Sequence, residues 1–324
     1  MKSFLAYQAP QKEVHVSFGS WRRTQTLDLS GFIISDANAE KFWAFSPSQV
    51  CSLDDLPNPG LAPMTLPAIS EEDYLSQASI LIDDMPKYNI QKVVYSRIKS
   101  FDFDPIFFKR VFQRLCKTYP NNFNYCLLNP ETGFWMGSSP EILIQGFDGN
   151  FRGMALAGTL PIHEDDSQWT QKEFEEQKYV ADYFSLLVQK YGILTNLSER
   201  YVYKVGPVKH LRNDFEFHLK DDVLRNFISE LHPTPAVCGV PKDLANKYYQ
   251  QHEKHQRSLY TGIIGFVEGK EIGLYVNLRC MQIFDNSVAL YVGGGFTKDS
   301  NPQKEWQETE RKADTLINLI KFDV

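Results

Sequence analysis

The chain has 324 residues, with 34 Lys and Arg against 40 Asp and Glu, a net charge of −6 and five cysteines. A chain this long buries a sizeable core without covalent staples, as one large domain or two smaller ones. The acidic balance excludes bulk binding to a nucleic-acid backbone, which needs a dense Lys/Arg surface, although one pocket can oppose the sign of the whole surface.

The cysteines (Cys51, Cys116, Cys126, Cys238, Cys280) are scattered and form no C-x-x-C pair, which excludes the common zinc and redox motifs. They read as reduced, mostly buried thiols of a cytoplasmic protein. The start of the chain, Met1 to Val14, lacks the apolar core of a secretion signal. No apolar run reaches the roughly 18 residues that span a bilayer, so no membrane partner is expected.

Short apolar runs at Val14 to Phe18, Gly31 to Ile34 and Phe42 to Phe45 predict strands of an antiparallel sheet. Pro57, Pro59, Gly60, Pro63 and Pro67 make Cys51 to Pro67 the best candidate for an internal linker. Ser70 before Glu71, Glu72 and Asp73 predicts a capped helix that runs to about Pro86. Val93 to Tyr95 reads as a strand and Phe107 to Lys117 as a helix. Asn124 to Leu128, Phe134 to Met136, Ile142 to Gln145 and Met154 to Gly158 read as strands, with a turn at Asp148-Gly149. Val180, Phe184, Leu187, Val188 and Tyr191 form one apolar stripe, which predicts a long helix over Thr170 to Tyr191.

After Asn196 the pattern predicts strands, a helix around Asp221 to Leu231, and a loop holding Pro233, Pro235 and Gly239. Ile263 to Val267, Ile272 to Phe284 and Val288 to Val292 read as three strands joined by turns at Glu268-Gly269 and Asp285-Asn286. Gln303 to Ile320 is the last helix, with Ala313, Leu316, Ile317 and Ile320 on its apolar face. Helices alternate with groups of strands joined by tight turns, so the fold class is α+β with antiparallel sheets.

In the last helix Glu305, Glu308 and Lys312 project from one face. Alone they fit a solvated charged face with a Glu308–Lys312 pair. Glu173 and Glu176 repeat the carboxylate spacing in the long helix. Two such helices could hold a hard divalent cation through oxygen ligands, and few protein ligands with open positions suit Mg²⁺. Arg279 lies in an apolar strand, where it needs a partner if buried: a structural salt bridge or a ligand carboxylate. Gly293-Gly294-Gly295 ends a strand and is either a plain turn or a place where backbone amides approach an anion. Lys92 and Glu141 sit beside strands, where each alone reads as a surface residue.

In order, these pieces resemble the chorismate-utilising enzymes, and within them the isochorismate synthases, from about Asp73 to the C-terminus. The motifs are Lys92-Val-Val-Tyr-Ser-Arg97, Gly137-Ser-Ser-Pro-Glu141, Ala155-Leu-Ala-Gly-Thr159, Glu173-Phe-Glu-Glu176 and His210-Leu211. His232-Pro-Thr-Pro-Ala236, Leu278-Arg-Cys280, Gly293-Gly-Gly295 and Glu305-Trp-Gln-Glu-Thr309 with Lys312 complete them.

The resemblance implies a single domain over residues 1–324, of two packed antiparallel sheets covered by helices, with residues 1–70 as its divergent part. It implies Mg²⁺ held by Glu176 and Glu308, with Glu173 and Glu305 in support, anchoring the ring carboxylate of chorismate. Arg279, the amides near Gly293 and Gly295, and Lys312 would hold the enolpyruvyl carboxylate or neutralise the anion. Gly158, Thr159, His210 and Ala236 would line the ring pocket. Lys92 would be the base that activates water and Glu141 the acid that protonates the leaving hydroxyl.

Amine-adding relatives usually lack Lys at the position of Lys92 and pair with a glutaminase. Lys92 and the absence of a fused glutaminase-like Cys motif favour water addition, with no glutaminase subunit expected; a monomer is expected, with isochorismate feeding menaquinone or siderophore synthesis. A salicylate synthase, which goes on to eliminate pyruvate, and an inactive chorismate-binding protein are the alternatives. Gln177 departs from the resemblance, since many relatives carry His there. The short N-terminal part argues against tryptophan-type feedback.

Overall fold

Among the described residues, seventeen strands and six helices follow one another in a computed structural model that covers residues 3–62, 64 and 66–321. Met1 and Pro63 of the readings above lie outside these. The chain opens with β1 (Phe4–Gln8), β2 (Val14–Thr24), β3 (Gly31–Ser35) and β4 (Phe42–Val50). Then come α1 (Glu71–Lys87), β5 (Lys92–Asp102), α2 (Phe108–Thr118), β6 (Phe123–Asn129), β7 (Gly133–Ser139), β8 (Ile142–Phe147) and β9 (Asn150–Pro161). The middle holds α3 (Gln171–Tyr191), β10 (Gly192–Leu197), β11 (Tyr201–Val205), β12 (Val208–Leu219), α4 (Asp221–Leu231), β13 (Gly239–Val240) and α5 (Lys242–His252). The end is β14 (Ile263–Glu268), β15 (Glu271–Val276), β16 (Cys280–Ile283), β17 (Ser287–Phe296) and α6 (Pro302–Ile320).

The strands pair antiparallel throughout, as one continuous ribbon. Its first half runs β12, β9, β8, β15, β14, β3, β4, with β10 and β11 on opposite ends of β12. The β4–β2 pairing leads into the second half, which runs β2, β1, β6, β7, β16, β17, β5, β13. The halves pack face to face as the two expected sheets. Phe32, Ile34, Trp43 and Tyr275 meet Tyr125, Leu127, Trp135 and Tyr291 in the core between them.

Alternation along each strand divides the side chains between two cores. Tyr125 and Leu127 of β6 face the inner core, while Cys126 and Leu128 face α2 and α6. There Phe112, Leu115, Leu316 and Ile317 close the outer layer. On the other half, Val180, Phe184, Leu187 and Val188 of α3 pack with Leu224 and Phe227 of α4 over β12 and β15. Each such fully buried side chain stabilises the fold by roughly 1.5–3 kcal/mol. α1 and α5 close the end of β5 through Tyr74, Ala78, Leu81, Ala245 and Tyr249.

The expected helix starts hold. Ser70 Oγ accepts from Asp73 N–H at the start of α1, and Asn301 Oδ1 accepts from Lys304 N–H ahead of Pro302 in α6. One expected strand is interrupted: Ile272 to Phe284 is two strands, β15 and β16, broken at residues 277–279. Arg279 sits there in the left-handed region at φ 47°. The cause is Asn277, whose Nδ2 donates to Leu259 O at 2.8 Å while its Oδ1 accepts from Tyr125 O–H at 2.8 Å. These bonds turn the chain from one half of the ribbon to the other. β17 in turn continues through all three glycines to Phe296. β1 and α5 lie outside the sequence expectations.

Candidate active site

Two helix starts meet over the floor formed by β5 and β17. The first turns of α3 and α6 carry Glu173 and Glu305, where the positive end of each helix dipole favours carboxylates, and the second turns carry Glu176 and Glu308. Glu176, Glu305 and Glu308 are buried. Gly294 and Gly295 make room for two of them. A β-carbon on Gly294 would stand 2.6 Å from Glu305 Oε2, and one on Gly295 would stand 2.0 Å from Glu176 Oε1.

Lysines hold these carboxylates. Lys92 Nζ lies 3.2 Å from Glu176 Oε1, and Lys312 Nζ lies 2.6 Å from Glu308 Oε1 and donates to Gly293 O at 2.8 Å. Lys172 reaches Glu305 Oε1 at 2.9 Å and Glu176 Oε2 at 3.4 Å. Burial pushes the Glu176 carboxyl up, but Lys92 and Lys172 outweigh it and hold it low. The same contest at Glu308, with Lys312 and Lys172 as the cations, also ends low. Glu305 is pushed up, by burial first and then by its carboxylate neighbours. Glu173 accepts from the N–H and O–H of Thr170 at 3.0 and 2.6 Å, which ties one of its oxygens to the cap of its own helix.

The donor set suits a hard divalent cation: four carboxylates from two helices, with Glu305 Oε2 buried and lacking a hydrogen-bond partner. Among the described residues, however, no three metal-ligating side chains converge as they stand. Lysine ammoniums lie among them instead.

Beside this cluster lies a cleft floored by β5 and β17. Ten of the expected residues line it: Glu141, Gly158, Thr159, Glu176, His210, Ala236, Arg279, Gly293, Gly295 and Lys312. Glu173, Glu305 and Glu308 line a second cleft on the outer side of the carboxylates, together with Lys172. Lys92 lines neither cleft; it stands fully buried behind Glu176.

Glu141 follows Pro140 at the end of β7, and its backbone is tied by Val276 N–H donating to its carbonyl at 3.0 Å. Burial raises its carboxyl to about 8, against the pull of Lys92 and Lys312. Lys92 moves the other way: burial lowers its ammonium, opposed by Glu176. A carboxyl kept protonated and an ammonium made easier to deprotonate are the pair that acid–base chemistry needs.

Gly158 occupies an irregularity in the β9–β12 pairing at φ 70°, and its carbonyl lies 3.0 Å from His210 Nδ1. Burial, then Arg279 and Lys312, lower the His210 imidazole to about 3, so it is neutral. With Nδ1 donating to Gly158 O, Nε2 accepts from Arg279 Nη2 at 3.4 Å. Arg279 Nη1 donates to Lys312 O and Thr315 Oγ1 at 3.2 and 3.1 Å. None of its partners is a carboxylate, so the salt-bridge reading gives way and a buried guanidinium is left facing the cleft.

Sequence reasoning missed Lys172, whose only local signal is its i, i+4 spacing to Glu176. It also missed Tyr260, whose hydroxyl lies 3.0 Å from where a β-carbon on Gly293 would stand.

The profile of one family, described as chorismate binding enzyme, matches residues 37–321. Isochorismate synthase MenF of Escherichia coli K12 is 33% identical over 210 residues, 61% of this chain and 48% of that protein. A chloroplastic isochorismate synthase of Catharanthus roseus is 31% identical over 255 residues, 73% of this chain and 43% of that protein. The chain spans about half the length of the curated relatives it matches. The solved structure of MenF, the menaquinone-specific isochorismate synthase of Escherichia coli, superposes with a TM-score of 0.77 at 22% identity, covering 98% of this chain and 88% of that one. That likeness shows the fold.

Proposed function

Because the chain belongs to the chorismate-binding enzymes, we propose that it is an isochorismate synthase that works with Mg²⁺. The observation that carries this reading is the oppositely shifted pair, Lys92 and Glu141, beside a cleft that also presents an unpaired guanidinium.

Chorismate is a dianion, and the cleft offers it Arg279 and Lys312. Arg279 takes the enolpyruvyl carboxylate through its planar fork. Glu176 and Glu308, supported by Glu305 and Glu173, would hold the Mg²⁺, which would supply positive charge for the ring carboxylate. Gly158, Thr159, His210 and Ala236 form the wall against the ring. Neutral His210, with Nδ1 turned to Gly158 O and Nε2 to Arg279, orients that guanidinium and adds no charge of its own to the wall.

Water is a poor nucleophile and hydroxide a poor leaving group, so a base and an acid must flank the ring. Lys92 removes a proton from water as its oxygen bonds to C2. The ring double bonds shift, the C4–O bond breaks, and Glu141 protonates the departing hydroxyl. One water enters and one leaves, so the step needs no amine donor and no glutaminase subunit. The protein acts as a monomer. Among the described residues no helix is long and apolar enough to cross a membrane.

The test is direct. Purified protein is incubated with chorismate and Mg²⁺, and the products are separated by chromatography. Isochorismate is expected. Salicylate with pyruvate would assign the chain to the eliminating branch, and anthranilate formed only with ammonia would overturn water addition.

A further inference from the structure

We propose that Lys172 is the resident counter-cation of the carboxylate cluster, and that a divalent metal enters by displacing its ammonium into the outer cleft. The inference rests on the metal reading above and names the residue that sets its affinity.

Three observations carry it. First, Lys172 Nζ lies 3.9 Å from Glu173 Oε1, 3.4 Å from Glu176 Oε2 and 2.9 Å from Glu305 Oε1. One ammonium thus meets three of the four carboxylates and bridges α3 to α6. Second, the carboxylates do not converge on a cation in this state, and Glu305 Oε2 is buried with no hydrogen-bond partner. A single positive charge with three donors leaves lone pairs that a divalent ion would use. Third, Lys172 has a way out. It stands in the first turn of α3 and lines the open outer cleft, so its side chain can swing away without disturbing the core.

The other two lysines are not placed for this exchange. Lys92 is fully buried behind Glu176. Lys312 lines the inner cleft and is held by Gly293 O as well as Glu308. Lys172 lines only the outer cleft, and all three of its ion-pair partners are the carboxylates proposed for the metal.

A side chain that occupies a site weakens the measured affinity by the fraction of time the site is free. Removing the ammonium should therefore tighten metal binding. If Lys172 merely braced the two helices, removing it would loosen the site and weaken binding.

The experiment is calorimetric titration of Mg²⁺ alone into wild type and Lys172→Met, with folding checked by circular dichroism and thermal melting. The expected result is a Kd about tenfold lower in the variant, with a lower melting temperature before metal is added. An unchanged or higher Kd in folded Lys172→Met overturns the proposal while leaving the metal site standing. Absence of Mg²⁺ binding to either protein overturns both.

A second measurement needs no variant. Wild type is treated with an amine-acylating reagent, and labelling at Lys172 is quantified by mass spectrometry. Labelling should rise severalfold when Mg²⁺ is present. Unchanged or reduced labelling at Lys172 overturns the displacement.

Discussion

Gly295 and Glu176 share a space with no room for a methyl group: a β-carbon on Gly295 would stand 2.0 Å from Glu176 Oε1 and 3.1 Å from Lys92 Cε. The glycine run of β17 therefore has a clear steric role, which is to let a buried carboxylate lie against a strand. Gly295→Ala should push Glu176 off its position. We expect overpacking to cost about 1–3 kcal/mol of stability, measured by denaturant unfolding. Mg²⁺ affinity should fall at least about tenfold, since 1.4 kcal/mol already amounts to that.

Lys92→Ala and Glu141→Gln each remove one half of the proposed proton transfer. General acid–base groups typically contribute about 10²–10⁴ in rate. Steady-state assays should show kcat lower by that factor in each variant, with the circular dichroism spectrum of the wild type. Activity near wild type in either variant would remove the acid–base assignment.

Glu141 must carry its proton to act as the acid, and burial places its loss at about pH 8. The rate should therefore decline as pH rises through about 8. Lys92 must be neutral to act as the base, and its lowered pKa extends activity toward neutral pH. Stability carries the matching sign. A carboxyl with a pKa of about 8 when folded and 4.5 in its ordinary state keeps a proton that the unfolded chain has lost. Its contribution to stability therefore falls as pH rises from 4.5 toward 8. In Glu141→Gln this part of the pH slope should vanish from denaturation midpoints measured across that range.

Arg279 is buried and makes no carboxylate pair. Arg279→Lys keeps the charge and loses the planar fork. Charge-assisted hydrogen bonds are worth about 1.5–3 kcal/mol, so KM for chorismate should rise about 10- to 100-fold. A KM within twofold of wild type would exclude Arg279 from substrate binding.

Asn277→Leu tests the turn between β15 and β16. It leaves Tyr125 O–H without its acceptor and Leu259 O without its side-chain donor, both in the interior. Leu259 O keeps the N–H of Gly262, so the cost falls on the Tyr125 hydroxyl. Urea unfolding should show a loss of roughly 1–3 kcal/mol, and the activity of any folded fraction should fall because Arg279 is two residues away.

Much of this was legible in the sequence, for reasons that differ by element. α4 and α6 announce themselves, because their apolar residues repeat at helical spacing behind acidic or Asn-Pro starts. α5 does not. Its eleven residues bury only Ala245, Tyr248 and Tyr249, and two tyrosines among Lys, Asp, Asn and Gln carry little periodic signal. The β15–β16 break was hidden because apolar alternation runs on through residues 277–279. What breaks the strand is a set of long-range bonds from Asn277 to Leu259 and Tyr125.

The site divides the same way. The paired carboxylates were visible from their i, i+3 spacing, and the ordered motifs gathered the cleft residues. Lys172 was not visible, because its strongest partner, Glu305, lies in another helix far along the chain. A lysine in an acidic first turn reads as a local pair until the second helix is in place.

The continuous ribbon has a kinetic consequence. The floor of the cleft pairs Val94 with Gly295 and Ser96 with Gly293, contacts that close loops of most of the chain's length. Such high contact order places the floor late in folding, after the nearby hairpins. Lys92 on β5 and Gly293 on β17, whose carbonyl holds Lys312, join one floor only when that closure is complete. Partly folded or nicked chains should therefore be inactive, and recovery of turnover during refolding should trail the return of secondary structure.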